Sequence, residues 1–331
     1  MDGEPKRLSN NNSTTSTNDA SGPIVVLFGA GASIHTEGIV PHSPPLGVKL
    51  FPAMQRWSSR WQSLWVPTAD VFKQSFEKGM DFLFDTYEMA IQDKVPGVPS
   101  PHSVMQDLAR YFLQFNLDNS ATDPYSTFLR DCAAAGLLSR CVFITLNYEY
   151  LLEQALILRG MRPRVLRPHG GCRLVAKRGG KILMSDRRAI GRGYNAISAR
   201  VRLCPPDVVL KLMEPPLGHY PCMAAYATGK WGQVAMRYMY RVRTRYAAQI
   251  ERASLIVVVG ARPWQADEHV WKPISNGLAP LLYVGARTGF DSWCDIARSD
   301  RVNTWVGDRF VRDRAALIDQ MSSHLERPRP M

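Results

Sequence analysis

Close cysteine pairs are missing from this chain. Its six cysteines, Cys132, Cys141, Cys172, Cys204, Cys222 and Cys294, come no nearer to one another than nine residues. A structural zinc ribbon needs C-x-x-C-type pairs that set two thiolates on one ion, so a ribbon is excluded and no metal is expected. Scattered cysteines read instead as small core residues or free thiols. Long apolar runs are missing too: none reaches the roughly 20 residues that cross a membrane. The N-terminal tail lacks the apolar core of a signal peptide. It runs through "RLSNNNSTTSTNDASG" with almost nothing to bury, so residues 1–22 are expected to be disordered. A soluble, cytoplasmic protein with no membrane partner is the expectation.

Acids are scarce in one place. The chain has 41 Lys and Arg against 29 Asp and Glu, a net charge of +12, and the excess is concentrated. Between Arg159 and Arg202 there are thirteen Lys or Arg and a single acid, Asp186. Such a stretch suits a nucleic acid or another acidic partner. It equally suits a solvated surface insertion, and no nucleic-acid motif accompanies it.

What remains is ordinary globular material, 331 residues with 45% apolar content, long enough to bury a sizeable core. Ile24–Phe28 reads as a buried strand. Residues 35–67, rich in Pro, Ser and Trp, read as a loop able to cover a site. Residues 69–94 carry Phe72, Phe76, Met80, Leu83, Phe84, Tyr87 and Ile91 at helical spacing, a core stripe. "PHSVMQDLARYFLQFNL" and "DPYSTFLRDCAAAGLLS" read as helices with proline near their starts. "CVFITLN" is a second strand, followed by a helix from about Glu149. Residues 161–206 read as irregular or short-stranded. "GQVAMRYMYRVRTRYAAQIERA" is helical, with Arg237, Arg241 and Arg245 on one face. "SLIVVVGARPWQADEH" and "PLLYVGA" supply two more strands. Strands alternating with helices predict an α/β fold: a Rossmann-like parallel sheet with helices on both faces, whose ligands sit at the carboxyl ends of the strands.

Every one of those strands ends in residues with chemical uses. The first runs straight into Gly29-Ala30-Gly31-Ala32-Ser33. A small-residue turn lets backbone N–H groups approach a phosphate, and a following helix would add its positive dipole end. The same residues equally make a tight turn with no ligand, since the sixth position of a dinucleotide fingerprint is Ile34 rather than glycine. The second strand delivers Thr145, Asn147 and Glu149; an asparagine there also serves as a helix cap. His169 follows in "RPHGG", where a histidine is often a turn residue. The third strand gives Gly260, Ala261 and Arg262, then Asp267, and the fourth ends near Gly285.

Taken in this order, the motifs resemble the sirtuin family, with its G-A-G-x-S turn, T-x-N-x-D, H-G and a glycine turn after a late strand. The chain is more specifically similar to the sirtuin-like NAD-consuming domains of bacterial antiphage defence systems. That branch tends to have N-Y-D before a leucine-rich helix, a late small-residue segment such as "PCMAAYATGK", and an aspartate after the glycine turn. The resemblance spans roughly residues 22–300. It departs at Glu149, where the pattern has Asp, and at Arg262, where a small hydroxyl residue is usual. Arg262 supplies either a charge-assisted contact to the pyrophosphate or the mark of an altered ligand. Gly38-Ile39-Val40-Pro41 resembles the sirtuin loop, but the Asp-Phe-Arg that follows in deacylases is absent.

The resemblance implies one sirtuin-like NAD-binding domain over residues 23–331, with a helical insertion at 68–140 and the basic segment at 159–206. It implies an NAD+ glycohydrolase releasing nicotinamide and ADP-ribose, an NAD-depleting effector in antiviral defence. Asn147 and His169 would be catalytic. Gly29, Ala30, Gly31, Ala32, Ser33, Thr145, Asn147, Gly260, Arg262 and Asp267 would hold NAD, with no metal. The alternatives are a sirtuin-type deacylase or ADP-ribosyltransferase, and a nucleotide-sensing module without catalysis. Toxic NAD loss demands a gate, so an activating partner protein or homo-oligomer is expected, with nucleic acid as a further partner through residues 159–202.

Overall fold

Short apolar runs flanked by small residues form buried parallel strands, because both faces of such a strand are covered. A computed structural model describes residues 22–34, 37–92, 99–118, 120–177, 181–182, 197–198, 200–215, 217–224 and 235–326. At its centre, β1 (Ile24–Phe28) lies between β4 (Cys141–Thr145) and β11 (Leu255–Val259). Beyond β4 comes β5 (Val165–Leu166); beyond β11 come β12 (Leu281–Val284) and β13 (Asn303–Gly307). All the pairings are parallel, with Ile24 opposite both Leu255 and Cys141. The fold is α/β and Rossmann-like.

Alternate residues of each strand feed two different cores. Val26, Phe28, Phe143 and Val257 face the helices α1 (Gly47–Trp57) and α2 (Ser59–Gln62), then α3 (Val66–Gln74), α4 (Phe76–Gln92), α5 (Pro101–Leu113), α6 (Pro124–Ala134) and α7 (Leu151–Leu158). α8 (Pro206–Met213) and, after an interval, the C-terminal helix Phe310–Glu326 join this layer. Val25, Leu27, Ile144 and Val258 face the other side, against α9 (Met236–Glu251), α10 (Glu268–Asn276) and α11 (Arg287–Ala297). The C-terminal helix is α12. Each fully buried aliphatic or aromatic side chain contributes about 1.5–3 kcal/mol, so the strand interior specifies its register strongly.

Small strands complete the outline. β2 (Ile39–Val40) pairs with β3 (Asn116–Leu117). β6 (Gly170–Ala176) sits between β9 (Val201–Leu203) and β10 (Tyr220–Met223), and β7 (Lys181–Ile182) pairs with β8 (Ile197–Ser198).

Three local readings change. The 35–67 loop is largely helical: Leu50, Phe51 and Met54 on α1 and Trp61 on α2 are buried, with Phe51 stacked on Phe72 and Trp61 on Phe76. Pro52 inside α1 and the neighbouring prolines disguise this apolar face. The 69–94 helix is two helices that meet at Ser75, whose Oγ caps α4 by accepting from Lys78 N at 3.3 Å. Gly79 lets them close, since a Cβ there would stand 2.3 Å from the Phe72 ring. Within 161–206, β6 is a regular seven-residue strand. Residues 1–21 of the expected 1–22 tail, most of residues 178–199 within the basic 159–202 stretch, and the lysine-bearing part of "PCMAAYATGK" lie outside the described residues. The expected helix starts at α5 and α6 are both present, capped by Ser100 and Asp123 with proline at the first position. Among the described residues, no helix is long and apolar enough to cross a membrane.

Candidate functional site

The glycines after β1 answer first to the turn after β11. Gly29 N donates to Val259 O and Gly31 N to Gly260 O, both at 2.8 Å. A Cβ on Gly29 would stand 2.7 Å from Ala261 Cα, and one on Gly31 2.8 Å from Gly260 Cα. Gly260 has φ +66°, and a Cβ there would lie 2.2 Å from Ala32 N. The two turns interlock backbone to backbone. No α-helix follows: Ala30–Ser33 is one 3-10 turn, so the expected helix dipole is absent from this place.

Ser33 turns inward, away from the cavity. It is fully buried, with its Oγ 2.6 Å from Tyr125 Oη and donating to Glu149 Oε1 at 3.0 Å. Asn147 Nδ2 donates to Tyr125 Oη at 3.1 Å and to Ser33 Oγ at 3.3 Å, while its backbone N–H is held by Thr145 Oγ1 at 3.1 Å. Because a hydroxyl has one proton, the donors run in order: Tyr125 to Ser33, Ser33 to Glu149. Asn147 is therefore a member of a buried polar network and does not cap α7, which begins at Leu151 with no side-chain cap.

Burial pushes the Glu149 carboxyl above its ordinary range; Arg167 and the hydrogen bonds from Ser33 and Asn147 pull the other way and do not prevail. The folded protein thus holds a proton there that the unfolded chain releases at lower pH, and stability attributable to Glu149 falls as pH rises past the usual glutamate value of about 4.3. Glu149→Gln keeps a neutral acceptor for Ser33. Its thermal midpoint should match wild type near pH 4 and exceed it increasingly towards neutrality, as read by melting curves across pH.

Arg167 ties this loop to the next. Its guanidinium donates to Asn147 O at 2.7 Å, to Glu149 O at 2.8 Å and to both carboxylate oxygens of Glu153 at 2.6 and 2.5 Å. It also lies 3.7 Å from the Tyr150 ring centroid. Two residues on, His169 is buried, with its carbonyl accepting from Ala224 N at 2.7 Å. Gly170, at φ +75°, turns the chain into β6; a Cβ there would meet Cys222 O at 2.0 Å. His169 Nε2 stands 3.7 Å from Asp267 Oδ1, and the His269 ring lies 5.1 Å away.

A cavity of about 400 Å³ opens at the carboxyl ends of β1, β4 and β11. Of the residues expected to act, Gly29, Ala30, Asn147, His169, Gly260, Arg262 and Asp267 line it. Gly31, Ala32, Ser33 and Thr145 lie behind that wall. The sequence reading missed Ser75, Glu77, Phe112 and Trp264 on the lining, and Tyr125, Glu153 and Arg167 behind it. An aromatic in a helix reads as core, and nothing in the sequence marks Tyr125 otherwise.

His169, Asp267 and His269 bring one ligand atom each to within 4.8 Å of one another, a set able to hold a divalent ion. The half-buried Arg243 already feels the Asp267 carboxylate, a positive charge that competes with a cation there. All six cysteines are free thiols.

No protein-family model matches the chain, and no curated protein matches it. Among solved structures it is similar to a mutant Sir2 homologue in complex with ADP-ribose, 16% identical over 91% of each chain, with a TM-score of 0.41. A Sir2 homologue–NAD complex is also 16% identical, over 92% of this chain and 91% of that one, at 0.41. A third, described as the structural basis of sirtuin substrate affinity, is 16% identical over 90% and 93%, at 0.43.

Proposed function

We propose that this chain hydrolyses the nicotinamide–ribose bond of NAD+ and releases nicotinamide and ADP-ribose. The observation that carries the reading is the cavity wall itself. Asn147 and the His169–Asp267 pair share it with the interlocked turns of β1 and β11. A parallel sheet receives a dinucleotide at this kind of crossing. The order of the sequence motifs, similar to that of sirtuins, supports the same substrate.

Cleavage passes through an oxocarbenium-like ribose. Water adds to the ribose carbon, the glycosidic bonding pair leaves with nicotinamide, and the pyridinium becomes neutral. His169 takes the proton that water loses, and the Asp267 carboxylate favours the imidazolium so formed. Asn147 orients the ribose and the water through its amide. Gly29, Ala30 and Gly260 leave room for the phosphates.

The missing cysteine pairs and the missing Asp-Phe-Arg favour hydrolysis over protein deacylation. The resemblance to defence domains suggests an NAD-depleting role that an activating partner or oligomer holds in check. The exposed Arg237, Arg241 and Arg245 on α9 offer an acidic partner one docking face. Chromatography of purified protein with NAD+ separates the readings. Free ADP-ribose and nicotinamide in equal amounts are expected; ADP-ribose attached to protein would indicate a transferase. A shifted melting temperature without turnover would indicate a sensor.

A further inference from the structure

The order of the strands decides which half of a dinucleotide lies where, given the cleavage reading above. Asn147 and His169 are on the β4 and β5 side of β1, so the bond that breaks is there. The glycine turns of β1 and β11 occupy the middle, where the pyrophosphate crosses. The adenosine half must then extend over the carboxyl ends of β11 and β12.

Those two ends are alike. β11 is followed by Gly260-Ala261-Arg262 and β12 by Gly285-Ala286-Arg287, an arginine at the third position each time. Arg262 lines the cavity, is exposed, and makes no ion pair among the described residues. Its guanidinium lies 5.8 Å from the Trp264 ring centroid, and its Nε is 3.9 Å from where a Cβ on Gly289 would stand. It therefore leans across the first turn of α11, the turn that carries Arg287. Arg287 is exposed as well, held by Asp291 at 3.1 Å. The acids of the cavity are elsewhere: Glu149 is beside Asn147, Asp267 is 3.7 Å from His169, and Glu77 faces Tyr148. On the cavity wall the carboxylates stand at the cleavage end and Arg262 at the adenosine end, with the paired Arg287 and Asp291 beyond it.

At such strand ends an unmodified adenosine ribose is met by an acid that accepts from its hydroxyls, whereas a ribose 2′-phosphate is met by arginine. We propose that the preferred substrate carries a phosphate on the adenosine ribose, NADP+ over NAD+, and that Arg262 is the residue that discriminates.

The test compares kcat/KM for the two dinucleotides by nicotinamide release. NADP+ is expected to lead by about tenfold or more, the worth of a charge-assisted contact. Arg262→Gln should shrink that ratio towards one, with the loss falling on the KM for NADP+. Equal or better use of NAD+ by wild type overturns the proposal. So does an Arg262→Gln variant that loses both substrates equally, because the arginine then serves the shared pyrophosphate. If neither dinucleotide is cleaved, the hydrolase reading fails and binding decides instead. Adenosine 2′,5′-bisphosphate stabilising wild type more than 5′-AMP does, with the difference lost in Arg262→Gln, upholds the preference; equal stabilisation by the two overturns it.

Discussion

On the proposed reaction, replacing His169 with alanine is expected to cut nicotinamide release by about two orders of magnitude or more, the scale of a lost general base. Asn147→Ala should cost at least as much, because it removes the one side-chain amide on the cleavage wall and also a donor to Tyr125 and Ser33. Both residues are buried, so a fold check belongs with each rate. His169→Gln and Asn147→Asp keep most of the volume, and circular dichroism with a thermal melt reports whether the protein is intact. Folded variants that turned over at near wild-type rates would remove His169 and Asn147 from the chemistry.

Arg167→Met is expected to destabilise the protein by about 3–5 kcal/mol, the cost of leaving one member of a buried ion pair alone. Glu153 is the abandoned partner, and it too is buried. The loss goes further than that pair, since Asn147 O and Glu149 O each lose a guanidinium donor. Removing both charges, Arg167→Met with Glu153→Leu, should recover part of the stability and little of the activity. The salt bridge is then replaced by packing, but the two carbonyls stay unserved. Chemical denaturation gives the stabilities and nicotinamide release the activities. Full recovery of both in the double variant would show that Arg167 serves only Glu153 and does not position the Asn147 loop.

The sheet was legible because buried parallel strands write themselves as unbroken apolar runs; Ile24–Phe28 and Leu255–Val259 have no polar residue to confuse the reading. The cavity-facing residues Asn147, His169 and Arg262 could be picked out because each stands just past a strand or before a glycine turn, and Asp267 through the resemblance. Ser33 shows the limit. Its place in the turn suggested a ligand, but a 3-10 turn rotates successive side chains apart, and Ser33 points into the protein towards Tyr125. Tyr125 and Glu153 could not be found at all from the chain. They arrive from helices, where an aromatic or an acid has a plainer use, and only tertiary packing brings them to Asn147 and Arg167. α1 was hidden by its prolines, although Leu50, Phe51 and Met54 already had helical spacing.

The interlock of the β1 and β11 turns also sets a timetable for synthesis. β1 is among the earliest parts of the structure to leave the ribosome, yet the residues that close its turn, Gly260 and Ala261, are made about 230 residues later. At roughly 5–20 residues per second, that is a wait of about ten to fifty seconds. Asn147 and His169 join the nascent chain about halfway through it, while the floor they face is still missing. On the proposed function, a chain that stalls between residues 169 and 260 carries Asn147 and His169 without the turn that closes the site, and is expected to be inert.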